Sequence, residues 1–563
     1  MARPMNRSRP ASLSLGLTLF VAACSSSTPS AQPSGPASSG AGTGVQTGGA
    51  SASGGANASG GPGAGGGSNG GAGAVSTAGG VGASGAAAAG NGTGGANGEA
   101  GGPPSTAGSA GTPTVTLPDV VTSADGALWK TGTLTVVTSG TADVTADDAT
   151  KNQRWDGFGG TFNEAGWDAL SVLSPADQQL ALMYLFDPAA GANFAYGRLP
   201  IGASDYAITR YTLDDSASAD PTMANFSIEH DKKLLIPYVK AALAIKPGIH
   251  LWGSPWTPPA WMKDNNNTDS GNMKDTPEVL TAFALYLEKY VQAYAAEGLK
   301  VEAVHPQNEP GYGTNSYPSC GWTSALYIKF IRDYLGPQFS KDNVPAEIWC
   351  GTMSAPQDGT MAVDLAKDAQ AMAFVKGFGM QWNTKSSVGA LKATNQPIMQ
   401  TEHKCGNYNF ATDYWDQSRY SSTAPQNDYA YGIESWQNIR DWIKAGVNSY
   451  SAWNMVLDTS GANLNPTKPW HQNALLTVDR AAKKLTATPA YYVFRHLSAF
   501  VAPKATVIGA TGGDALAFKN PDGAFVVVMY NSGAAKQAIV SLGGTKLQFD
   551  MPAKGFATIH HMK

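Results

Sequence analysis

The chain reads as an α/β protein: a (β/α)8 TIM barrel with an attached β-sandwich side domain. Two observations predict this. From Asn152 onward, eight short apolar runs alternate with stretches of 3.6-residue periodicity, the pattern of parallel strands joined by crossover helices. On either side, over Thr114–Ala146 and again after Ala505, the texture is that of strands alone. A doubly wound open sheet is the alternative arrangement of such units, and eight strands in this span favour closure.

The N-terminal residues belong to neither part. Residues 1–24 carry a basic start (Arg3, Arg7, Arg9), an apolar stretch from Leu13 to Phe20 and then small residues. That is a secretory signal peptide, too short for a convincing membrane span. Its ending, "VAAC", resembles a bacterial lipobox, with Cys24 as the lipidated residue. From Ser25 to Thr112 the composition is almost wholly Gly, Ala, Ser, Thr, Asn and Pro, and Glu99 is the one charged residue. Such a segment buries too little apolar surface to offset its ordering entropy, so it is expected to be a disordered tether. The expected location is the bacterial cell surface or outer membrane, as a lipoprotein, or secretion. Contact with a membrane would run through the lipid anchor alone.

Charge and cysteine content narrow the partners. The formal net charge is −4, and setting aside Arg3, Arg7, Arg9 and Glu99 leaves the remainder more acidic. No basic run is present, which argues against nucleic acid. With Cys24 assigned to the anchor, Cys320, Cys350 and Cys405 remain, so at most one disulfide forms among them. No CxxC pair suggests a structural zinc site. No metal or other cofactor is expected, and the chain is expected to be a monomer.

The folded part is expected in three blocks: residues 113–150, N-terminal strands joining the sandwich; 151–485, the barrel; and 486–563, the last barrel helix and the C-terminal sandwich. Strands in the first block are read at "TVTLP", "LWKTG", "TLTVVT" and "TADVTA". The barrel strands are read at 155–162, 193–201, 249–255, 301–308, 346–352, 375–382, 396–402 and 447–454. Helices fit between them at 174–186, with Ser174 as N-cap and Pro175 at the first helical position, and at 231–245, 276–298, 324–335 and 431–446. After a helix at 489–501, six runs from "TVIGAT" to "FATIHHM" are separated by Gly, Asn, Asp and Pro.

In a parallel barrel, chemistry sits at the C-terminal ends of the strands. Glu309, in "AVHPQNEPGYG", ends the fourth strand, with Asn308 placed to orient a hydroxyl and Pro310 shaping the turn. Glu402, in "PIMQTEHKCGN", ends the seventh. Two carboxylates facing each other across a barrel mouth, about 5–5.5 Å apart, are the geometry of a retaining glycosidase. One must be protonated near neutral pH and the other ionised, a difference that environment can impose. Arg198, ending the second strand, is a donor for Glu402.

The stretches "GFGGTFNEAGWDAL", "RLPIGASDY", "SPWTPPAWMK", "NEP", "QTEHKCGN" and "SAWNMVLD" occur in order at strand ends. In these the chain resembles glycoside hydrolase family 30, which includes glucosylceramidases, endo-β-1,6-glucanases and xylanases. The likeness covers roughly residues 113–563. It implies a retaining mechanism with Glu309 as acid/base and Glu402 as nucleophile.

Around that pair, Arg198 and Asp205 read as site residues, or else as a buried ion pair with each other. Trp256 and Trp453 read as rings for sugar stacking, whereas Trp261 and Trp382 fit the site and the core equally. His403 and Cys405 do not read as metal ligands, because strand alternation sends His403 away from Glu402. "GFGG" at 157–160 lacks dinucleotide-loop spacing and reads as tight packing. Two departures from the family pattern fall at the mouth: "TSGANLNPTKPWHQN" (459–473) in place of a Gly-Gly-Pro-Asn-like loop, and "MQWN" where many members have a His-Trp pair. Both leave the sugar open and, on this reading, the chemistry intact. The carbohydrate substrate is read as a β-glucan, with "QTEHKCGN" favouring the glucanase type over a glucosylceramidase-like or xylanase activity. A non-catalytic carbohydrate-binding surface protein is the reading from another class, and it leaves the paired carboxylates without a purpose.

Overall fold

Each apolar run expected in the barrel forms a strand. A computed structural model describes residues 117–313, 317–403, 428–464 and 471–562. The signal peptide, Cys24 and the tether, together with Cys405, lie outside the described residues. The barrel strands are Gly157–Thr161, Tyr196–Ile201, His250–Pro255, Val301–Val304, Glu347–Met353, Val375–Met380, Ile398–Gln400 and Ser449–Asn454. They are parallel throughout and close on themselves, the eighth pairing with the first. Helices cover the outer face, so most strand residues are buried on both sides. The fourth strand is shorter than its apolar run and ends at Val304, so Glu309 lies beyond it, in a loop.

The covering helices start where the sequence places caps. Ser174, Thr276 and Thr488 each accept a hydrogen bond from a first-turn backbone N–H, and each is followed by proline at the first helical position. Pro175–Phe186, Pro277–Ala296 and Pro489–Ser498 result. Tyr429–Ala445 stops at Gly446, whose φ of 116° closes the helix in a left-handed turn. Helices Glu164–Leu170 and Pro356–Leu365, and a three-stranded sheet of Val456–Asp458, Leu476–Asp479 and Lys484–Ala487, have no counterpart in the sequence reading.

The side domain is one continuous ten-stranded sheet. Its strands are Val120–Ala124, Ala127–Gly132, Thr135–Val137, Val144–Trp155 and the six C-terminal runs from Ala505–Thr511 to Gly555–His561. Val120, Val144, Ile508, Val527, Val540, Leu547 and Ile559 share a single core, so the sheet folds over to make both layers of the sandwich. Two expectations are corrected here. The described part of "TVTLP", Leu117–Pro118, is not strand, and the first strand is Val120–Ala124. The boundary expected at 150/151 falls inside Val144–Trp155, which pairs with both Ala505–Thr511 and Lys536–Leu542. Trp155 at its end is fully buried against Phe158 of the first barrel strand and Phe518 of the sheet.

The glycines of "GFGG" are packing devices. A Cβ on Gly159 would lie 2.3 Å from the Tyr196 carbonyl oxygen, and one on Gly160 2.3 Å from Met455 Cγ. Gly159→Ala is expected to destabilise the fold by about 2 kcal/mol, since neighbouring backbone cannot give way. Gly248→Ala, with nothing within 4 Å, is expected to stay within about 0.5 kcal/mol of the parent. Urea unfolding midpoints check both.

Candidate active site

The site is assembled around a buried cation. Arg198, in the second strand, is 0% exposed. Its Nη1 donates to Glu402 Oε2 at 2.6 Å and its Nη2 to Asn308 Oδ1 at 2.6 Å. Thr352 Oγ1 also donates to Asn308 Oδ1, at 2.7 Å. Two donors on Oδ1 fix the orientation of the Asn308 amide and leave its Nδ2 as the group to meet a substrate hydroxyl. The guanidinium lies 4.3 Å from the Trp256 ring centroid and 5.3 Å from those of Trp252 and Trp453. Arg198 is thus bound to Glu402, and the alternative of an Arg198–Asp205 ion pair is not what forms.

Glu402 follows the seventh strand and is 5% exposed. Its second oxygen, Oε1, accepts from Trp382 Nε1 at 3.0 Å. Burial raises its pKa, while the charge and hydrogen bonds of Arg198 and the Trp382 N–H pull the other way. Glu309 sits across the cleft, half-buried, with its Oε2 accepting from Tyr317 Oη at 2.9 Å and its Oε1 from Gln381 Nε2 at 3.2 Å. Among the described residues no cation is hydrogen-bonded to it. Burial, followed by the charge on Glu402, pushes Glu309 up to about 7, against the Tyr317 and Ser354 hydrogen bonds. Both carboxyls are raised above the ordinary range, and the Arg198 guanidinium opposes that rise chiefly at Glu402, which favours the proton on Glu309.

Backbone strain accompanies this placement. Glu309 has φ 49° and Trp382 φ 50°, left-handed conformations that cost a non-glycine residue about 1–2 kcal/mol each. Glu309 is held there by its N–H to the Thr352 carbonyl at 2.9 Å and its carbonyl to the Tyr312 N–H at 2.9 Å. Gln381 is oriented by Thr401 Oγ1, which donates to its Oε1 at 2.7 Å. The departure "MQWN" thus bears directly on the chemistry: Gln381 touches one carboxylate and Trp382 the other. That overturns the expectation that this departure concerns the sugar alone.

The remaining expected residues separate. Asp205, 6% exposed, has its carboxyl raised well above the ordinary range by burial, and next by the charges of Glu402 and Glu309. Trp256 and Trp453 stack with centroids 5.2 Å apart and are 2% and 3% exposed, so they mainly roof Arg198. Trp382 and Tyr317, both half-buried, offer more open ring to the cleft. Trp261 belongs to the main core, its Nε1 donating to Asp214 Oδ2 at 3.0 Å. His403 points outward as expected, bonded to Tyr450 Oη at 2.5 Å and Ser435 Oγ at 3.1 Å. Among the described residues no three His, Cys, Asp or Glu side chains cluster as for a metal. Cys320 and Cys350 are buried free thiols.

Sequence reasoning missed Thr352, Gln381, Tyr317 and the bracing Lys263. Buried Lys263 donates from Nζ to Thr257 Oγ1, the Thr268 carbonyl and the Ser319 carbonyl, which ties the loops after the third and fourth strands together. Asn163, Ser204, Asn454 and Gln472 form a second tie, with Asn163 Nδ2 on Asn454 Oδ1 at 2.9 Å and Asn454 Nδ2 on Gln472 Oε1 at 2.9 Å.

Two carboxylates of unequal proton affinity in an aromatic cleft, at the C-terminal mouth of a (β/α)8 barrel, define a glycoside hydrolase. Residues 155–501 match the glycosyl hydrolase family 30 TIM-barrel domain and residues 504–559 the family 30 beta sandwich domain. The chain belongs to glycosyl hydrolase family 30. It is similar to endo-1,6-beta-D-glucanase neg1 of Aspergillus fumigatus, with 27% identity over 422 residues, 70% of this chain and 82% of that one. It is similar also to lysosomal acid glucosylceramidase of Mus musculus, with 27% identity over 400 residues, 68% of this chain and 75% of that one. The solved structure of the endo-beta1,6-glucanase BT3312 shares the fold at a TM-score of 0.68 and 24% identity, covering 79% of this chain and 99% of that one.

The electrostatics make a direct prediction. With its pKa near 7, Glu309 is protonated below that pH and loses its proton as pH rises through it. In the Glu402→Gln variant the repelling charge is gone, so the Glu309 midpoint is expected to fall. Carbon-13 NMR titration of labelled glutamate carboxyls checks this without any substrate.

Proposed function

We propose that the chain is a retaining β-glycosidase acting on glucosyl bonds, with a β-1,6-linked glucan as substrate. The observation that carries the reading is the contrast between Glu402, bonded to the Arg198 cation, and Glu309, bonded to the neutral Tyr317 and Gln381 donors. In the first step a Glu402 oxygen bonds to the anomeric carbon as the glycosidic C–O bond breaks, and the Glu309 proton passes to the leaving oxygen. In the second, water attacks the same carbon, Glu309 takes the water's proton, and the Glu402 ester is released. Asn308 Nδ2 donates to a hydroxyl of the bound ring, and Asp205 takes a second hydroxyl. Both named relatives act, by their names, on a glucosyl unit, which supports glucose at that position. The glucanase relative, with the "QTEHKCGN" stretch, supports the polymer. An exported, Cys24-anchored enzyme is proposed from the sequence alone.

Glu402→Gln is expected to lower kcat by about 10³-fold or more, about 4 kcal/mol of transition-state stabilisation. Azide or formate is expected to restore part of the activity of Glu402→Ala on an activated aryl glucoside. Glu309→Ala should hurt poor leaving groups far more than good ones. Fresh product followed by proton NMR should be the β-anomer; an α-anomer would mean that water attacks directly and that the retaining reading is wrong. Cys24→Ala should move the protein from the membrane fraction to the soluble one with specific activity unchanged.

A further inference from the structure

The opposite end of the barrel holds a second cavity, of about 410 Å3. That volume falls within the range of about 300–1,000 Å3 of small-molecule sites. The cavity is lined from the second to the fifth strands and reaches Met399 of the seventh. Its rim is polar, with His250, Glu302, Lys300 and Glu347. His250 Nδ1 contacts Glu302 Oε2 at 2.7 Å, Lys300 Nζ contacts Glu302 Oε1 at 3.2 Å, and Trp349 Nε1 donates to Glu347 Oε2 at 2.9 Å. One wall is a run of rings. Trp349 and His305 stack with centroids 5.3 Å apart, and His305 and Trp252 follow at 4.3 Å. Trp349 can lie flat here because Gly377 has no side chain; a Cβ there would meet its ring at 2.6 Å. Tyr196 and His250 pair at 5.3 Å, also on the lining.

At the inner end one buried polar atom lacks a partner. Trp252 is 2% exposed, and its indole N–H has no hydrogen-bond acceptor. His305, 1% exposed, uses Nδ1–H on the Gly351 carbonyl at 2.7 Å, which leaves Nε2 as a bare acceptor. Burial pushes His305 down to about 3, so its ring is neutral. A buried donor left without an acceptor is destabilising, so a ligand that supplies one is favoured. A donor and an acceptor on neighbouring rings, 4.3 Å apart and tilted by 36°, match one hydroxyl group, which can accept from Trp252 and donate to His305. The carboxylates at the rim are already paired, so they do not call for a cation.

We propose that this cavity at the N-terminal face of the barrel is a second carbohydrate-binding site. It takes a small neutral saccharide, with one hydroxyl between Trp252 and His305 and its ring along the Trp349 wall. It lies at the other end of the barrel from Glu309 and Glu402, so the saccharide it holds is not the one being cleaved. Trp252 contacts both places, since Arg198 lies over the same ring.

The test uses the full chain carrying Glu402→Gln, which stops turnover. Glucose and a β-1,6-linked glucose disaccharide are titrated by calorimetry. Two binding events are expected. Trp349→Ala should weaken one of them by about tenfold or more and spare the other; Trp349→Phe should restore it. Asn308→Ala should do the reverse. Absence of only the Asn308-dependent event, with the Trp349-dependent one intact, would count against the proposed substrate and support this site. A single event indifferent to Trp349→Ala overturns the proposal, and the cavity then holds water. Binding of choline chloride that depends on Trp349, with no saccharide binding there, overturns it in favour of a cation site.

Discussion

The structure turns on a guanidinium with no access to water. Removing an ion from water costs several kcal/mol, and geometry must return it. Arg198 recovers it from the Glu402 carboxylate, the Asn308 amide oxygen and the faces of Trp256, Trp252 and Trp453. Each of these is thereby fixed by the same charge. Glu402 cannot swing away without leaving a bare cation, and Asn308 cannot flip without turning its donor end toward one. Lysine in this position would lack the planar fork that reaches two acceptors together.

That arrangement also explains why two like residues behave differently. Both carboxylates lose water around them, which favours the neutral acid in each. Among the described residues only Glu402, of the two, has a cation bonded to it. Glu309 has neutral donors instead, the Tyr317 hydroxyl and the Gln381 amide. Consecutive residues of one short turn, Gln381 and Trp382, reach across to the two carboxylates, and the second adopts a left-handed backbone to do so. The turn therefore contacts both members of the pair.

Much of this was legible in the residues. Barrel strands are apolar on both faces, so their runs stand out whatever their exact ends, and Glu309, Glu402 and Arg198 stand out as charges at those ends. What was not legible depends on contacts across the barrel. Trp382 and Trp261 look alike in sequence, and only packing sends one to Glu402 and the other to Asp214. Thr352 and Tyr317 are ordinary residues until Asn308 and Glu309 are beside them. Trp256 and Trp453 were rightly placed at the mouth, but a ring that covers a buried cation has little face left for a sugar. In the side domain, "VVTSA" pairs with Gly555–His561, a partner more than 400 residues away that local alternation does not reveal. The ladder of Val144–Trp155 passes from the sheet to the barrel without the break in texture that a boundary needs.

That same sheet constrains how the chain can be made. Its first strand, Val120–Ala124, is hydrogen-bonded to its last, Gly555–His561, and Thr135–Val137 pairs with Thr545–Met551. A ribosome delivers these partners at opposite ends of synthesis. All eight barrel strands emerge between them, so the barrel has its full complement before the sheet does. Until then Val120 and Val144, both buried in the finished protein, have no core to enter, and their strand edges are open to other chains. Pairings this distant in sequence close slowly. The sheet is therefore the last part of the molecule to become native, and the stage at which a nascent chain is most exposed to aggregation.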